Sequence, residues 1–366
     1  MNMKERELIE KLKNEMGDLL DGLQVVEIRT DAPLGRGKHP LRADLLATVR
    51  VGNKSKELVF EVKHRGYPRE LEEGVLALRK LTENVPELVP VLVVPFISET
   101  GRRQVRDRGI NYIDLSGNVY IAFDNVLIHK TSTGNEYTHK KEGINVFSDK
   151  ASLIVRELLS EPQEYHTVRA LAENASVSVG WASEVLHELE ERGYLDRKPR
   201  RGCRIRRMEN LLDDWTDQYN FLGKNRVRSF FINAVSLDEM LDLLKDSGIS
   251  QQVEYALTVH AGADLVAPFV QYNECHLYVG GRRDFERQVD NLVGALQLTE
   301  PHAGGNFHVA KPYYEHGAFH GIRIIEGLKV ASDLQLYLDL AGFPIRGTEQ
   351  AEKILEHSGL RDSDSW

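Results

Sequence analysis

Asp44, Glu61 and Lys63 are the residue types of a metal-dependent hydrolytic site. Glu61 and Lys63 lie two apart in the run ELVFEVK, a spacing that puts both side chains on one face of a strand and Phe60 and Val62 on the other. Asp44 opens the preceding run ADLLATVRV, so two neighbouring strands can bring all three together. Two carboxylates supply the hard oxygen ligands that Mg²⁺ takes, and an ammonium beside them can orient or deprotonate an attacking water. The plain alternative is a surface ion pair between Glu61 and Lys63. Glu7 or Glu10, on the leading run KERELIEKLK, is either a further ligand or part of a solvated helix face.

A second constellation occupies residues 148–207. Three runs with helical periodicity, SDKASLIVRELLSE, YHTVRALAENA and SVGWASEVLHELEERG, precede two short strand-like runs, YLDRK and CRIRR, joined by PRRG. Ser178 is placed to cap the third helix and Gly193 to end it. Val179, Ala182, Val185, Leu186 and Leu189 are expected on its apolar face. This order is that of a winged helix-turn-helix. Residues 192–207 hold eight Lys/Arg (Arg192, Arg197, Lys198, Arg200, Arg201, Arg204, Arg206, Arg207) against one acid, Asp196. Such a density of cations suits a phosphate backbone and makes double-stranded DNA the expected partner. Ser176, Ser178, Trp181, Ser183 and His187 are expected to face a DNA groove, with Glu184, Glu188, Glu190 and Glu191 facing away. A wing that only dimerises, giving a homodimer, is the competing reading.

The elements that must position Asp44, Glu61 and Lys63 follow a definite order. A helix (KERELIEKLKNEM) leads to strands QVVEI, ADLLATVRV and ELVFEVK, a helix (ELEEGVLALRKL), a strand (VPVLVVPF), a helix (GRRQVRDRG) and a strand pair near INYIDL and NVYIAF. Over the first third of the chain this resembles the PD-(D/E)xK nuclease superfamily, whose restriction-endonuclease-like fold has the order helix–strand–strand–strand–helix–strand. The resemblance implies catalytic roles for Asp44, Glu61 and Lys63, with Asp44 and Glu61 holding Mg²⁺. Two departures stand against a working nuclease: Ala43 replaces the Pro that often precedes the aspartate, and no Gln is clearly placed on the following helix. Gly35-Arg36-Gly37-Lys38 lacks the length and following helix of a phosphate-binding loop and reads as a basic loop.

The remainder mixes strands such as YALTV and CHLYVG with helices such as SLDEMLDLLKDSG and DFERQVDNLVGAL, an α+β pattern. The runs YALTVHAGADLVAPF and LKVASDLQLYLDLAGFPIRGTEQAEKIL resemble the AbiEi family of antitoxins from type IV toxin–antitoxin systems, over residues 148–360. That resemblance implies a winged helix that binds operator DNA and represses its own operon. It also implies a C-terminal domain that meets a nucleotidyltransferase-like toxin. Asp333, Gln335 and Asp339 are candidate site residues on a helix that Leu334, Leu336, Leu338 and Leu340 mark as a packing element, ended by Gly342 and Pro344. His316 and His320 are more readily loop or strand residues than metal ligands.

The expected architecture is therefore multidomain, α/β and α+β: a restriction-endonuclease-like α/β domain over 1–133, a winged helix-turn-helix over 148–207 and a C-terminal α+β domain over 225–366. The linker is expected at 134–147 and a second boundary at 213–226. With 47 basic and 56 acidic residues the chain is net negative, and residues 208–366 carry 13 and 24 of these, so the acidic third is suited to a protein partner rather than to DNA. Cys203 and Cys275 alone exclude a disulfide framework and a cysteine-rich zinc site. The charged start and the lack of a long apolar run point to a soluble, cytoplasmic protein without a membrane partner. Two functions follow: an antitoxin-type transcriptional regulator, or a Mg²⁺-dependent DNA endonuclease of a defence system.

Overall fold

The computed structural model describes residues 5–34, 41–83, 85–132, 143–280, 284–301 and 304–360; the loop Gly35–Lys38 and most of the expected linker lie outside them. The described residues form two compact units. The first runs to Ile144 and takes in Glu188–Tyr194; the second holds Asn145–His187 and the chain from Leu195 onward.

The first unit is a seven-stranded sheet between helices. Its elements are α1 (Glu5–Leu19), β1 (Gln24–Leu34), β2 (Leu41–Val51), β3 (Lys54–Val62), α2 (Pro68–Thr82), β4 (Val89–Val94), α3 (Glu99–Asp107), β5 (Asn111–Asp114), β6 (Val119–Phe123) and β7 (Val126–Lys130). The strands lie side by side in chain order, with β3, β4 and β5 parallel and the outer pairs antiparallel. Parallel strands are covered on both faces, and β4 accordingly reads VPVLVV without alternation. Leu8, Leu12 and Met16, one turn apart on α1, pack with Leu45, Phe60 and Val62 on one face. On the other, Leu71, Val75 and Leu78 of α2 meet Leu46, Val59 and Leu92. Gly74 lets α2 come close, since a Cβ there would lie 2.4 Å from Leu92 Cδ1. The expected order of helices and strands is present, with β7 added beyond the run NVYIAF.

After the first sheet come α4 (Asp149–Ser160), α5 (Val168–Asn174), α6 (Val179–Arg192), of which the part up to His187 belongs to the second unit, and the hairpin β8 (Leu195–Lys198) and β9 (Gly202–Ile205). Thr167 accepts from Ala170 N at 3.2 Å to cap α5, and Ser178 accepts from Trp181 N at 3.1 Å to cap α6. Gly193 ends α6 with φ 86°, a left-handed stop. Gly202 is required by space as well as by its φ of 103°, because a Cβ there would lie 2.0 Å from the His166 carbonyl oxygen. Val146 and Phe147, expected in the linker, are buried.

Then follow α7 (Met208–Thr216), α8 (Phe221–Lys224), β10 (Arg226–Phe230), α9 (Leu237–Asp246), β11 (Tyr255–Thr258), α10 (Val259–Asp264), β12 (Cys275–Val279), α11 (Phe285–Leu296), β13 (Phe307–Lys311), β14 (Arg323–Ile325), β15 (Leu328–Val330), α12 (Asp333–Ala341) and α13 (Gly347–Ser358). Six strands make one mixed sheet in the order β10-β13-β12-β11-β15-β14. The stretch 213–226, read as a boundary, is instead helical over much of its length and buries Trp215, Tyr219 and Phe221. Those aromatic rings make it core, a property that its charged neighbours Asp213, Asp214 and Asp217 hide in the sequence. No helix among the described residues is long and apolar enough to cross a membrane.

Candidate functional site

The β2–β3 register brings the three sequence-predicted hydrolytic residues together. Leu45 pairs with Phe60, and carrying that antiparallel register one step further sets Asp44 opposite Glu61. Asp44 Oδ2 accepts from Val62 N at 2.7 Å, and Lys63 Nζ lies 2.8 Å from Glu61 Oε1, with both side chains of this pair mostly buried. Burial pushes the Glu61 carboxyl up, its bond from Lys63 opposes this, and the nearby Asp44 charge adds to the rise. Burial alone would lower Lys63, but Glu61, Glu5 and Asp44 outweigh it and the net shift is upward. Lys63 is thus held as a cation, suited to orienting an anion rather than to taking a proton. Two neighbouring carboxylates in a partly buried site, with the charge of Asp44 raising Glu61, fit a divalent cation, which would relieve their repulsion.

Of the leading-helix acids, Glu10 pairs with Lys13 at 3.0 Å, and it is Glu5, not singled out by sequence, whose charge is felt at Glu61 and Lys63. Glu70, on α2, is the other acid that the sequence did not disclose. Its Oε1 lies 3.5 Å from His64 Nε2, while its Oε2 is buried without a hydrogen-bond partner among the described residues. Burial pushes its carboxyl up to about 7, against the lowering by Arg65 and Lys63.

The candidate nucleic-acid surface is narrower than the sequence tally. Arg197, Lys198, Arg200, Arg201 and Arg206 are exposed, Arg204 is half-buried, and Arg192 and Arg207 are buried. Arg192 donates to Glu188 at 2.8 Å. Tyr165 donates to Asp196 and its ring carries Lys198 and Arg204, each 5.0 Å from the centroid. That hydrogen bond, with help from Lys198 and Arg204, holds Asp196 below the usual carboxylate range. Arg200 occupies the hairpin turn with φ 66°.

On α6, Ser178, Ser183 and His187 are exposed, as is Ser176 before it. Trp181 is half-buried, with its Nε1 lacking a hydrogen-bond partner among the described residues. Two expectations fail. Val179 is 53% exposed and does not join Ala182, Val185, Leu186 and Leu189 in the core. Glu184 is exposed too, and its spacing from Gly180 and His187 sets it on the same face as Ser183 rather than away from it.

Asp333, Gln335 and Asp339 are placed as packing residues. Asp333 pairs with Arg323, whereas Gln335 and Asp339 are fully buried. Burial raises Asp339 to about 6, although Thr258, Tyr219, Tyr278 and Gln335 all donate to it. His316 and His320 each pair with an acid of α4: His316 Nδ1 with Asp149 and His320 Nε2 with Glu157, both at 2.7 Å.

Glu70 gives a pH signature. Its folded-state pKa lies above the unfolded value, so the folded protein keeps a proton that the unfolded chain releases, and stability falls as pH rises from about 4.5 to about 7. Glu70→Gln removes that penalty. Thermal or urea unfolding should show the variant more stable than wild type by on the order of 2 kcal/mol at alkaline pH, with the gain shrinking towards acid pH. An equal difference at both ends would show that the Glu70 carboxyl is not strained by burial.

Residues 204–358 match the family model described as "Transcriptional regulator, AbiEi antitoxin, Type IV TA system", a span that begins within β9 and leaves out the three helices before it. No curated protein matches the chain. Among solved structures the chain is similar to "a repair endonuclease from Pyrococcus abyssi", at 16% identity and a TM-score of 0.24 over 31% of this chain and 48% of that one. It is also similar to "EndoMS in apo form", at 18% identity and 0.20 over 31% and 47%. The matched part thus corresponds to about half the length of these structures. The endonuclease-like reading of the first unit rests on its own element order and on the placement of Asp44, Glu61 and Lys63. From residue 204 to 358, the chain is thus similar to the AbiEi antitoxin family of transcriptional regulators.

Proposed function

We propose that the protein is a DNA-binding transcriptional regulator of the antitoxin type, which docks the α4–β9 segment on its own operator and contacts a partner protein through residues 225–366. The observation that carries this reading is the exposed cation cluster of the β8–β9 hairpin beside the polar face of α6, in a chain whose next segment is AbiEi-type. The hairpin supplies phosphate contacts and hence affinity. The N-terminal half of α6 supplies base contacts and hence preference. Ser183 and His187 can donate or accept on base edges, and Glu184 between them can accept from a cytosine amino group. The partner expected for the acidic C-terminal segment is a basic surface, in keeping with a nucleotidyltransferase-like toxin.

Replacing Arg200, Arg201 and Arg206 together by Ala should weaken duplex binding at every sequence, and the slope of log affinity against log salt should fall by roughly one unit per lost phosphate contact. Fluorescence anisotropy at two salt concentrations measures both. An unchanged slope removes the hairpin from the interface.

The juxtaposition of Asp44, Glu61 and Lys63 supports a second reading, in which the first unit is a Mg²⁺-dependent nuclease delivered to DNA by the second. In this reading Asp44 and Glu61 hold the ion and Lys63 steadies the phosphate or the attacking water. Supercoiled plasmid incubated with Mg²⁺ or Mn²⁺ should then be nicked by wild type, and not by Asp44→Asn or Lys63→Ala. Metal-dependent stabilisation that Asp44→Asn abolishes, without nicking, indicates an ion site that no longer cleaves. Neither effect leaves the first unit with a structural role.

A further inference from the structure

Nothing in the sequence pattern joins Glu274, His276 and His308, yet the second sheet does. Parallel pairing of β12 with β13 sets His276 beside His308, their rings stacked with centroids 4.3 Å apart. Antiparallel pairing of β10 with β13 sets Ser229 on the other side of His308, and β11 pairs Thr258 with His276. A row of polar side chains thus crosses four strands on one face. Glu274, just before β12, completes the group: its Oε2 is 3.1 Å from His308 Nε2, and one ligand atom from each of Glu274, His276 and His308 lies within 4.8 Å of the others.

A hydrogen bond between His308 and Glu274 does not account for His276. That residue is 3% exposed, and its Nδ1 is buried with no hydrogen-bond partner among the described residues. A ring nitrogen buried without a partner keeps the full cost of its desolvation, so its persistence asks for a compensating ligand. The surroundings are those of a supported site. Ser229 Oγ lies 2.9 Å from His308 Nδ1, which fixes that ring with Nε2 turned to Glu274, and Tyr272 donates to Glu274 Oε2 at 2.8 Å. The rings of Phe343 and Tyr272 pack on His276 with centroids 5.4 and 6.1 Å away. Glu274 is the most open member, its side chain 37% exposed against 12% for His308, so an ion has a way in from solvent.

We propose that Glu274, His276 and His308 form a binding site for a borderline divalent transition-metal ion, Zn²⁺ by its donor set. Two imidazoles and a carboxylate are the three protein ligands of an open zinc site, with a fourth position left for water or a ligand. The donor set also separates this centre from Asp44 and Glu61, whose oxygen-only ligands suit Mg²⁺.

The test uses the full chain without a histidine tag, stripped by chelator and titrated with Co²⁺ in the presence of excess Mg²⁺. Visible absorption reports imidazole-bound Co²⁺, and Zn²⁺ competition gives the affinity. One Co²⁺ should bind per chain and be displaced by Zn²⁺. Glu274→Gln, at a half-exposed position, and His308→Asn should each weaken Zn²⁺ binding by at least about 100-fold, Ser229→Ala by roughly 10- to 100-fold, and Asp44→Asn not at all. Circular dichroism and melting of the chelated variants identify any that fail to fold, and Glu274→Gln then decides. Zn²⁺ binding that is absent in wild type, or unchanged in folded Glu274→Gln, overturns the proposal.

Discussion

A buried cation organises the second unit. Arg156 of α4 is 2% exposed, and among the described residues only its Nη2 has a hydrogen-bond acceptor, Gln335 Oε1 at 2.6 Å, while Nε and Nη1 have none. Its guanidinium carbon instead lies 5.3 Å from the Trp215 ring centroid and 5.4 Å from that of Tyr314. Burial lowers its pKa, while the charge of buried Asp339 works the other way. Gln335 links the two: it accepts from Arg156 and passes its own Nε2 hydrogen to Asp339 Oδ1 at 2.7 Å. Isolated buried charges cost several kcal/mol each, so Arg156 and Asp339 are tolerable only together and only with this aromatic and amide shell around them. Even the backbone yields to it, since a Cβ on Gly317 would lie 2.8 Å from Arg156 Nε.

The consequence bears on the proposed function, which gives different tasks to the segments that hold the two ends of this network. Arg156 lies on the first helix of the segment proposed to hold DNA, and Gln335 and Asp339 lie in the AbiEi-type segment. Asp149, Arg156 and Glu157 recur seven and eight residues apart along one side of α4, and each reaches across: Asp149 to His316, Glu157 to His320, Arg156 to Gln335. Trp215 stacks on Phe147 at 5.1 Å and donates to Tyr314 at 2.7 Å. Under the proposed function, a partner on the segment that matches the AbiEi model would have a two-ended connection through which to bias the helices proposed to hold DNA, which is the physical requirement for coupling two sites.

What sequence could disclose divided along the range of the interactions involved. Strand alternation placed Glu61 and Lys63 on one face, and an antiparallel neighbour did the rest for Asp44, because both facts follow from local geometry. Helix caps at Ser178 and the glycine stop at Gly193 are local in the same way. β7 was missed because it is short and follows the tight turn at Asp124, which adopts φ 45°. The exposed side of α6 was misjudged at Val179 and Glu184, since periodicity defines an apolar stripe but not which of its edges is covered. The second sheet was the least legible. β10 and β13 were not read as strands, and the order β10-β13-β12-β11-β15-β14 departs from chain order, so no spacing could place Ser229, His308 and His276 side by side. Asp339 looked like a candidate site residue because a charge among leucines is unusual; the reason for it is Arg156, some 180 residues earlier in the chain and invisible to any local pattern.

The claim that a buried charge pair ties the helices proposed to hold DNA to the segment that matches the AbiEi model is tested most directly by a double-mutant cycle. Arg156→Met, Asp339→Asn and the double variant are compared by urea unfolding followed through tryptophan fluorescence, since Trp215 sits beside the guanidinium. Each single change leaves the other group buried without its counterpart and should cost about 3 kcal/mol or more. The double change should cost less than the sum of the two by about 1–3 kcal/mol. Additive losses, or single losses no larger than those of surface changes, would contradict the account and leave the two segments joined by packing alone.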